Sequence, residues 1–87
     1  MRLDARIHQV QQRVGKPLLI RTVRTDEPDF RARVQVRASA VIIEYVEELP
    51  GYFWGYELLE ELLDYVEDGG GSATFHADEL ILPPGRA

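Results

Sequence analysis

Few side chains in this sequence combine the type and the spacing that catalysis or metal binding requires. There is no cysteine, which excludes a thiolate metal site, a disulfide and a catalytic thiol. The two imidazoles belong to His8 and His76. His76 and Asp78 alternate onto one face of a predicted strand and, with Glu79 beside them, supply half of a metal site. No further ligand is identifiable, so we predict no metal, no cofactor and no catalytic residue.

The serines and carboxylates form no catalytic pattern either. Ser39 lies in a predicted hairpin turn and Ser72 follows three glycines, and neither context is typical of an activated nucleophile. Most carboxylates lie on a solvent-facing helix, where they keep ordinary acidity and cannot act as a matched acid and base. The sequence therefore favours a protein without enzymatic activity. A metal-dependent enzyme around His76 is the least favoured alternative.

The charged residues are unevenly distributed along the chain. Residues 1–37 carry nine basic and four acidic side chains, whereas residues 38–87 carry one basic and eleven acidic ones, and the net charge is −5. Guanidinium groups bind phosphates and carboxylates through a planar fork of donors. Four arginines on segments of strand character form a candidate basic surface: Arg21, Arg31, Arg33 and Arg37.

Half of the eight aromatic residues fall together in the segment 52–56, directly after Pro50-Gly51. Large rings at a helix entrance can seal one end of a core. Four neighbouring rings cannot all point inward from one turn, so Tyr52 and Trp54 are candidates for an exposed binding spot. The glycines at 69–71 follow a helix rather than precede one, so we interpret them as a helix stop and not as a phosphate loop.

Hydrophobic periodicity predicts two helices and four strands in the order α-β-β-β-α-β. Apolar residues recur at helical spacing from Leu3 to Val14 and again in a second helix at about 53–68. The predicted strands are Leu18–Thr25, Phe30–Ala38, Ala40–Glu48 and Ala73–Leu82. We therefore predict a single α+β domain over 1–87, with a mostly antiparallel four-stranded sheet, helices packed on it and a frayed tail at 83–87.

The order of the first five elements resembles that of the double-stranded RNA-binding domain. That family presents lysines at the start of its last helix, whereas the second helix here has no basic residue. The resemblance is one of element order, and it implies no function for this chain.

A two-residue turn at Ala38-Ser39 would fix the pairing of the second and third strands. It places Arg33 opposite Glu44 and brings Val34 and Ile43 together on the core side. In the second strand, alternation directs four apolar residues to the core: Phe30, Ala32, Val34 and Val36.

The first and last strands are harder to place from the sequence. A hairpin with Thr22 opposite Ala32 keeps the apolar residues of the first strand inward. It also puts Arg21 directly opposite Arg33, a like-charge pair that costs stability. The last strand follows a helical crossover, so we expect it to run parallel to its neighbour.

The second predicted helix has an acidic face formed by Glu57, Glu60, Glu61, Asp64 and Asp68, with Glu67 at its flank. No basic residue within the helix relieves the repulsion between these carboxylates. The face is either a solvated surface or a docking site for a basic partner. If this helix covers the core side of the sheet, its carboxylates lie on one side of the molecule and the arginines of the strands lie on the other.

The outer sheet face predicted by these registers mixes arginines with aliphatic side chains. It lacks the interleaved aromatics on which bases stack, which disfavours nucleic acid. A half-apolar sheet face is better explained by cover from the first helix or from another subunit. The candidate partner-binding residues are Arg21, Arg31, Arg33, Arg37, Ile42, Val46, Tyr52 and Trp54.

We therefore expect a small non-enzymatic protein that acts as a protein-protein interaction or self-associating module, as a homo-oligomer or with another protein. The alternative is binding of nucleic acid or another polyanion through the arginines. The longest strictly apolar run, Ala40–Ile43, is too short to span a bilayer, and Met1–Asp4 does not begin a signal peptide. We accordingly expect an acidic, soluble, cytoplasmic protein with no membrane partner.

Overall fold

Two helices and four strands form in the predicted order, which confirms the α+β class. The structure is a computed structural model that describes residues 3–47 and 55–77. The elements are α1 (Leu3–Val14), β1 (Leu18–Val23), β2 (Phe30–Val36), β3 (Val41–Val46), α2 (Gly55–Glu67) and β4 (Ala73–His76). The strands form one mixed sheet in the order β1-β3-β2-β4. The predicted continuation of the last strand to Leu82 and the tail at 83–87 lie outside the described residues.

The hairpin of β2 and β3 has the predicted register. Arg33 pairs with Glu44, and Val34 pairs with Ile43. The backbone N–H of Arg37 donates to the carbonyl oxygen of Ala40 at 2.9 Å, which closes the two-residue turn. The alternation of apolar and polar residues in β2 and the short turn were therefore sufficient to fix this pair of strands.

The predicted hairpin of β1 with β2 is wrong. Strand β1 pairs with β3 instead, in parallel, with Leu18 opposite Val41 and Arg21 opposite Glu44. Strands β1 and β2 still run in opposite directions, but β3 lies between them. This arrangement keeps Leu18 on the core side and replaces the like-charge pair of Arg21 and Arg33 with two pairs of opposite charge.

The prediction that β4 runs parallel to its neighbour is also wrong. Strand β4 pairs antiparallel with β2. It does run in the same direction as β3, as a helical crossover from β3 requires. Because β1 and β2 already occupy both sides of β3, the returning strand cannot lie beside β3, and it adds at the outer side of β2.

Both helices pack on the same side of the sheet. The buried residues of α2, which include Leu58, Leu62 and Leu63, form one core cluster with Val10 of α1 and Ile43 of β3. Burial of each such side chain contributes roughly 1.5–3 kcal/mol to folding. Helix α1 therefore covers the core side, and it does not cover the opposite side of the sheet.

Helix α2 ends in a glycine motif, as predicted. Gly69 has a φ of 93°, a left-handed conformation that favours glycine. Its N–H donates to the carbonyl oxygen of Val66 at 3.0 Å, and the N–H of Gly70 donates to that of Tyr65 at 2.9 Å. This is the Schellman pattern, which satisfies carbonyl groups at the end of a helix.

Candidate interaction surface on the outer sheet face

The outer sheet face is the side of the sheet away from α1 and α2. On β1 and β3 its residues form three neighbouring pairs, which alternate with the core residues of the same strands: Leu19 with Ile42, Arg21 with Glu44, and Val23 with Val46. Arg33 reaches the same face from β2, because it pairs with Glu44 from the other side. The structure therefore places four of the predicted surface residues on one face: Arg21, Arg33, Ile42 and Val46.

Glu44 lies between two arginines at the centre of this face. Nε and Nη2 of Arg21 donate to Oε2 of Glu44 at 2.9 and 2.7 Å. Nη1 of Arg33 donates to Oε1 at 3.2 Å. The Glu44 side chain is only 12% exposed, whereas those of Arg21 and Arg33 are 68% and 44% exposed. We call these three residues the Glu44 cluster.

The charge state of the Glu44 cluster follows from these contacts. The hydrogen bond from Arg21 is the largest influence on the carboxyl group, and together with Arg33 it holds the pKa of Glu44 below its ordinary value of 4.5. Glu44 is therefore ionised at neutral pH. The cluster carries two positive charges and one negative charge, so it presents both signs to an approaching molecule.

Arg31 and Arg37 do not donate to Glu44. Nη1 of Arg31 donates to the carbonyl oxygens of Pro28 and Phe30, both at 2.9 Å. Arg37 lies beyond the end of β2, and its Nη2 is 3.4 Å from Oε1 of Gln35. The four predicted arginines therefore do not form one continuous cationic patch.

Phe30 lies on the outer face, although alternation along β2 predicts that it points to the core. A register shift between Phe30 and Ala32 in the pairing with β4 interrupts the alternation. The Arg33 guanidinium lies 5.4 Å from the centroid of the Phe30 ring, and the His76 ring meets it edge-on at 6.4 Å. Phe30 packs with Val46 in a small cluster separate from the main core, and the two residues are 4% and 8% exposed.

The accessible apolar part of the outer face lies beside β1. Leu19 is 53% exposed and pairs with the half-buried Ile42. A shallow recess of about 300 Å³ runs here, lined by Leu18, Leu19, Ile20, Arg21 and Ile42. Val46 was also predicted to contact a partner; it is 8% exposed and packs against Phe30, so it offers less surface than Leu19.

The remaining candidates lie elsewhere. Tyr52 and Trp54 fall outside the described residues, as do Asp78 and Glu79 of the predicted half metal site. Among residues 3–47 and 55–77, no group of three or more possible ligands is arranged to hold a metal ion. No helix in that part of the chain has the length and apolar content needed to cross a membrane.

The acidic face of α2 has a partner that sequence reasoning missed. Arg6 of α1 forms an ion pair with Asp64, and its Nη1 lies 2.8 Å from Oε1 of Glu67. These hydrogen bonds raise the pKa of the Arg6 guanidinium. The face is therefore partly neutralised from the neighbouring helix, which the sequence of α2 alone does not reveal.

Comparison of the chain with protein-family models, with curated proteins and with solved structures finds no significant match.

Proposed function

We propose that this protein is a non-enzymatic interaction module that self-associates through the outer sheet face beside β1. The observation that carries the proposal is the exposed side chain of Leu19, which adjoins Ile42 and the recess along β1 on a side that neither helix covers. Burying such a surface against a second chain removes apolar area from water, which favours association.

The Glu44 cluster supports a second copy as the partner. An all-arginine face would repel an identical face. Because Glu44 binds Arg21 and Arg33, one of the two positive charges is neutralised, and the surface meets its own copy with less repulsion than two unpaired arginines would cause. A small domain also gains stability when association buries more of its surface.

Binding of nucleic acid or another polyanion is less well supported. Two of the four predicted arginines already bind a carboxylate, and a third binds backbone carbonyl groups. The guanidinium of Arg33 contacts the Phe30 ring, but at 4% exposure this ring offers no surface on which a base can stack.

Light scattering after size exclusion, in low and then high salt, tests self-association. We expect a dimer or larger species in both conditions, because salt screens charges and does not weaken the burial of Leu19. Leu19→Gln should lower the mass to that of a monomer. Val36→Gln is the matched control, since Val36 is also an exposed apolar residue of the sheet but lies on the core side, opposite Val41. A monomer for the unmodified chain in both salts would refute the proposal.

A further inference from the structure

Strand β1 is an edge of the sheet, and every second residue of it directs its backbone groups away from β3. The N–H of Val41 donates to the carbonyl oxygen of Pro17 at 3.0 Å. In a parallel pair, alternate residues direct both backbone groups to the same neighbour, so Leu19 and Arg21 also face β3. Leu18, Ile20 and Thr22 must then direct their N–H and C=O groups away from the sheet.

The backbone groups that β1 directs away from the sheet differ in their hydrogen bonding. The N–H of Leu18 donates to Oε1 of Gln11 at 2.9 Å, which protects the start of the strand. The N–H and C=O groups of Ile20 and Thr22 have no hydrogen-bond partner in the part of the chain that the structure describes. Within residues 3–47 and 55–77, two donors and two acceptors on consecutive outward positions are therefore without a partner.

The other edge of the sheet is protected in a way that β1 is not. Strand β4 has four residues, and its pairing with β2 contains a register shift. Short edge strands and bulges are devices that prevent the addition of another strand. Strand β1 has six residues and pairs with β3 without interruption, so it can act as a template.

We propose that a second copy of this chain adds to the edge of β1, with the two β1 strands antiparallel about a twofold axis at Arg21. This inference rests on the proposed self-association and specifies how the two copies meet. Ile20 of each copy pairs with Thr22 of the other. The four resulting hydrogen bonds use the free N–H and C=O groups of both residues in each copy.

This register is favoured over the two registers whose twofold axis lies one residue earlier or one residue later in β1. An axis at Ile20 would place Thr22 of the second copy opposite Leu18, whose N–H Gln11 already occupies. An axis at Thr22 would pair Ile20 with Arg24, which lies beyond the end of β1. With the axis at Arg21, the residue of the second copy opposite Leu18 is Arg24, which lies beyond the end of its β1. The N–H of Leu18 is therefore not needed for the pairing.

The side chains fit this register on the outer face. Leu19 of one copy lies opposite Val23 of the other, so the exposed leucine gains an apolar neighbour. Arg21 lies opposite its own copy, which would be unfavourable for two free guanidinium groups. Each Arg21 is instead bound to Glu44 on β3, on the side of β1 away from the axis, so the two guanidinium groups point apart.

The test uses the full chain and the variant Thr22→Pro, measured by sedimentation across a wide range of protein concentration. Proline is tolerated at an edge position whose N–H faces away from the sheet, but it removes that donor and obstructs an added strand. We expect the dimer to be lost, so that the mass falls by half. Thr22→Val, which keeps the N–H, should retain the dimer. Circular dichroism establishes that each variant is folded.

Amide hydrogen exchange of the unmodified chain provides a second measurement that needs no variant. The N–H groups of Ile20 and Thr22 should become protected as the protein concentration rises, whereas those of Leu19 and Arg21 should be protected throughout. A folded Thr22→Pro protein that still dimerises, or a dimer without this concentration-dependent protection, would overturn edge pairing while leaving self-association intact. A monomer at every concentration would overturn both.

Discussion

Arg21 and Glu44 occupy paired positions on the parallel strands β1 and β3, and two nitrogen atoms of Arg21 bind one carboxylate oxygen of Glu44. Arg33 binds the other oxygen from β2. One carboxylate thus links three adjacent strands through their side chains. This arrangement explains why the sheet tolerates two arginines near its centre on the outer face.

Glu44→Gln should make the folded protein less stable at neutral pH, by about 0.5–1 kcal/mol, because both ion pairs are lost and exposed arginines limit their strength. The pKa of Glu44 is lowered in the folded state, so its contribution is present above the ordinary value of 4.5 and is lost as the pH falls through the lower folded pKa. The difference between the two proteins should therefore shrink in acid. Urea denaturation at several pH values measures it.

The control for that experiment is Glu27→Gln, since Glu27 is an exposed loop residue. It should leave the stability near its original value at every pH. An equal loss of stability in both variants would show that removal of a negative charge, and not the contact with the arginines, is responsible.

The Glu44→Gln variant should also be retained more strongly than the unmodified chain on a polyanion column. The unmodified chain carries a net charge of −5, and its outer face is partly neutralised, so we expect it to flow through at low salt. Glu44→Gln releases Arg21 and Arg33, and retention should increase. Strong, salt-dependent retention of the unmodified chain would instead support polyanion binding.

Arg6→Gln should weaken the packing of α1 on α2. Asp64 and Glu67 lose a shared cation while they remain close to other carboxylates of the same helix. We expect a loss of about 1 kcal/mol that becomes smaller at high salt. Arg13→Gln is the matched control, because Arg13 is an exposed arginine of the same helix. Thermal unfolding of both variants at two salt concentrations would reveal the difference.

Gly70→Ala should destabilise the end of α2. A Cβ atom at this position would lie 2.4 Å from the Tyr65 ring. The hydroxyl of Tyr65 donates to the carbonyl oxygen of Gly71 at 2.7 Å, and its ring packs at nearly a right angle to that of Phe75. Displacing this ring should cost about 1–3 kcal/mol, as overpacking usually does. A Cβ atom at Gly71 would meet nothing within 4 Å, so Gly71→Ala should have little effect. Chemical denaturation of the two variants makes the comparison, and equal stability would contradict the steric argument.

The sequence determined the parts of the sheet that depend on local pattern. Alternation in β2 and the short turn after it predicted that Arg33 faces Glu44, and this is confirmed. The neighbour of β1 could not be chosen in this way, because Leu18 points to the core whether β1 lies beside β2 or beside β3. The unfavourable pair of Arg21 and Arg33 in the predicted hairpin was the one indication that β1 does not lie beside β2. Placing β3 between the two strands removes this pair.

Other features depend on tertiary structure that no local pattern encodes. The register shift that turns Phe30 to the outer face arises in the pairing with β4, and alternation in β2 predicts the opposite. The contact of Arg6 with Asp64 depends on how two helices distant in sequence lie on the sheet. The sequence predicted that Arg21 and Arg33 belong to the interaction surface, but it did not predict that Glu44 pairs with both of them and neutralises part of their charge.

The position of β1 beside β3 also constrains the order in which the chain can fold. The β2–β3 hairpin closes through a short turn. The pairing of Leu18 with Val41 instead closes a longer loop, which contains the whole of β2. Closing the longer loop costs more entropy, so the hairpin is the part of the sheet that can nucleate folding. During synthesis, the amino-terminal helix and strand leave the ribosome first, yet they have no sheet to join until β3 has emerged.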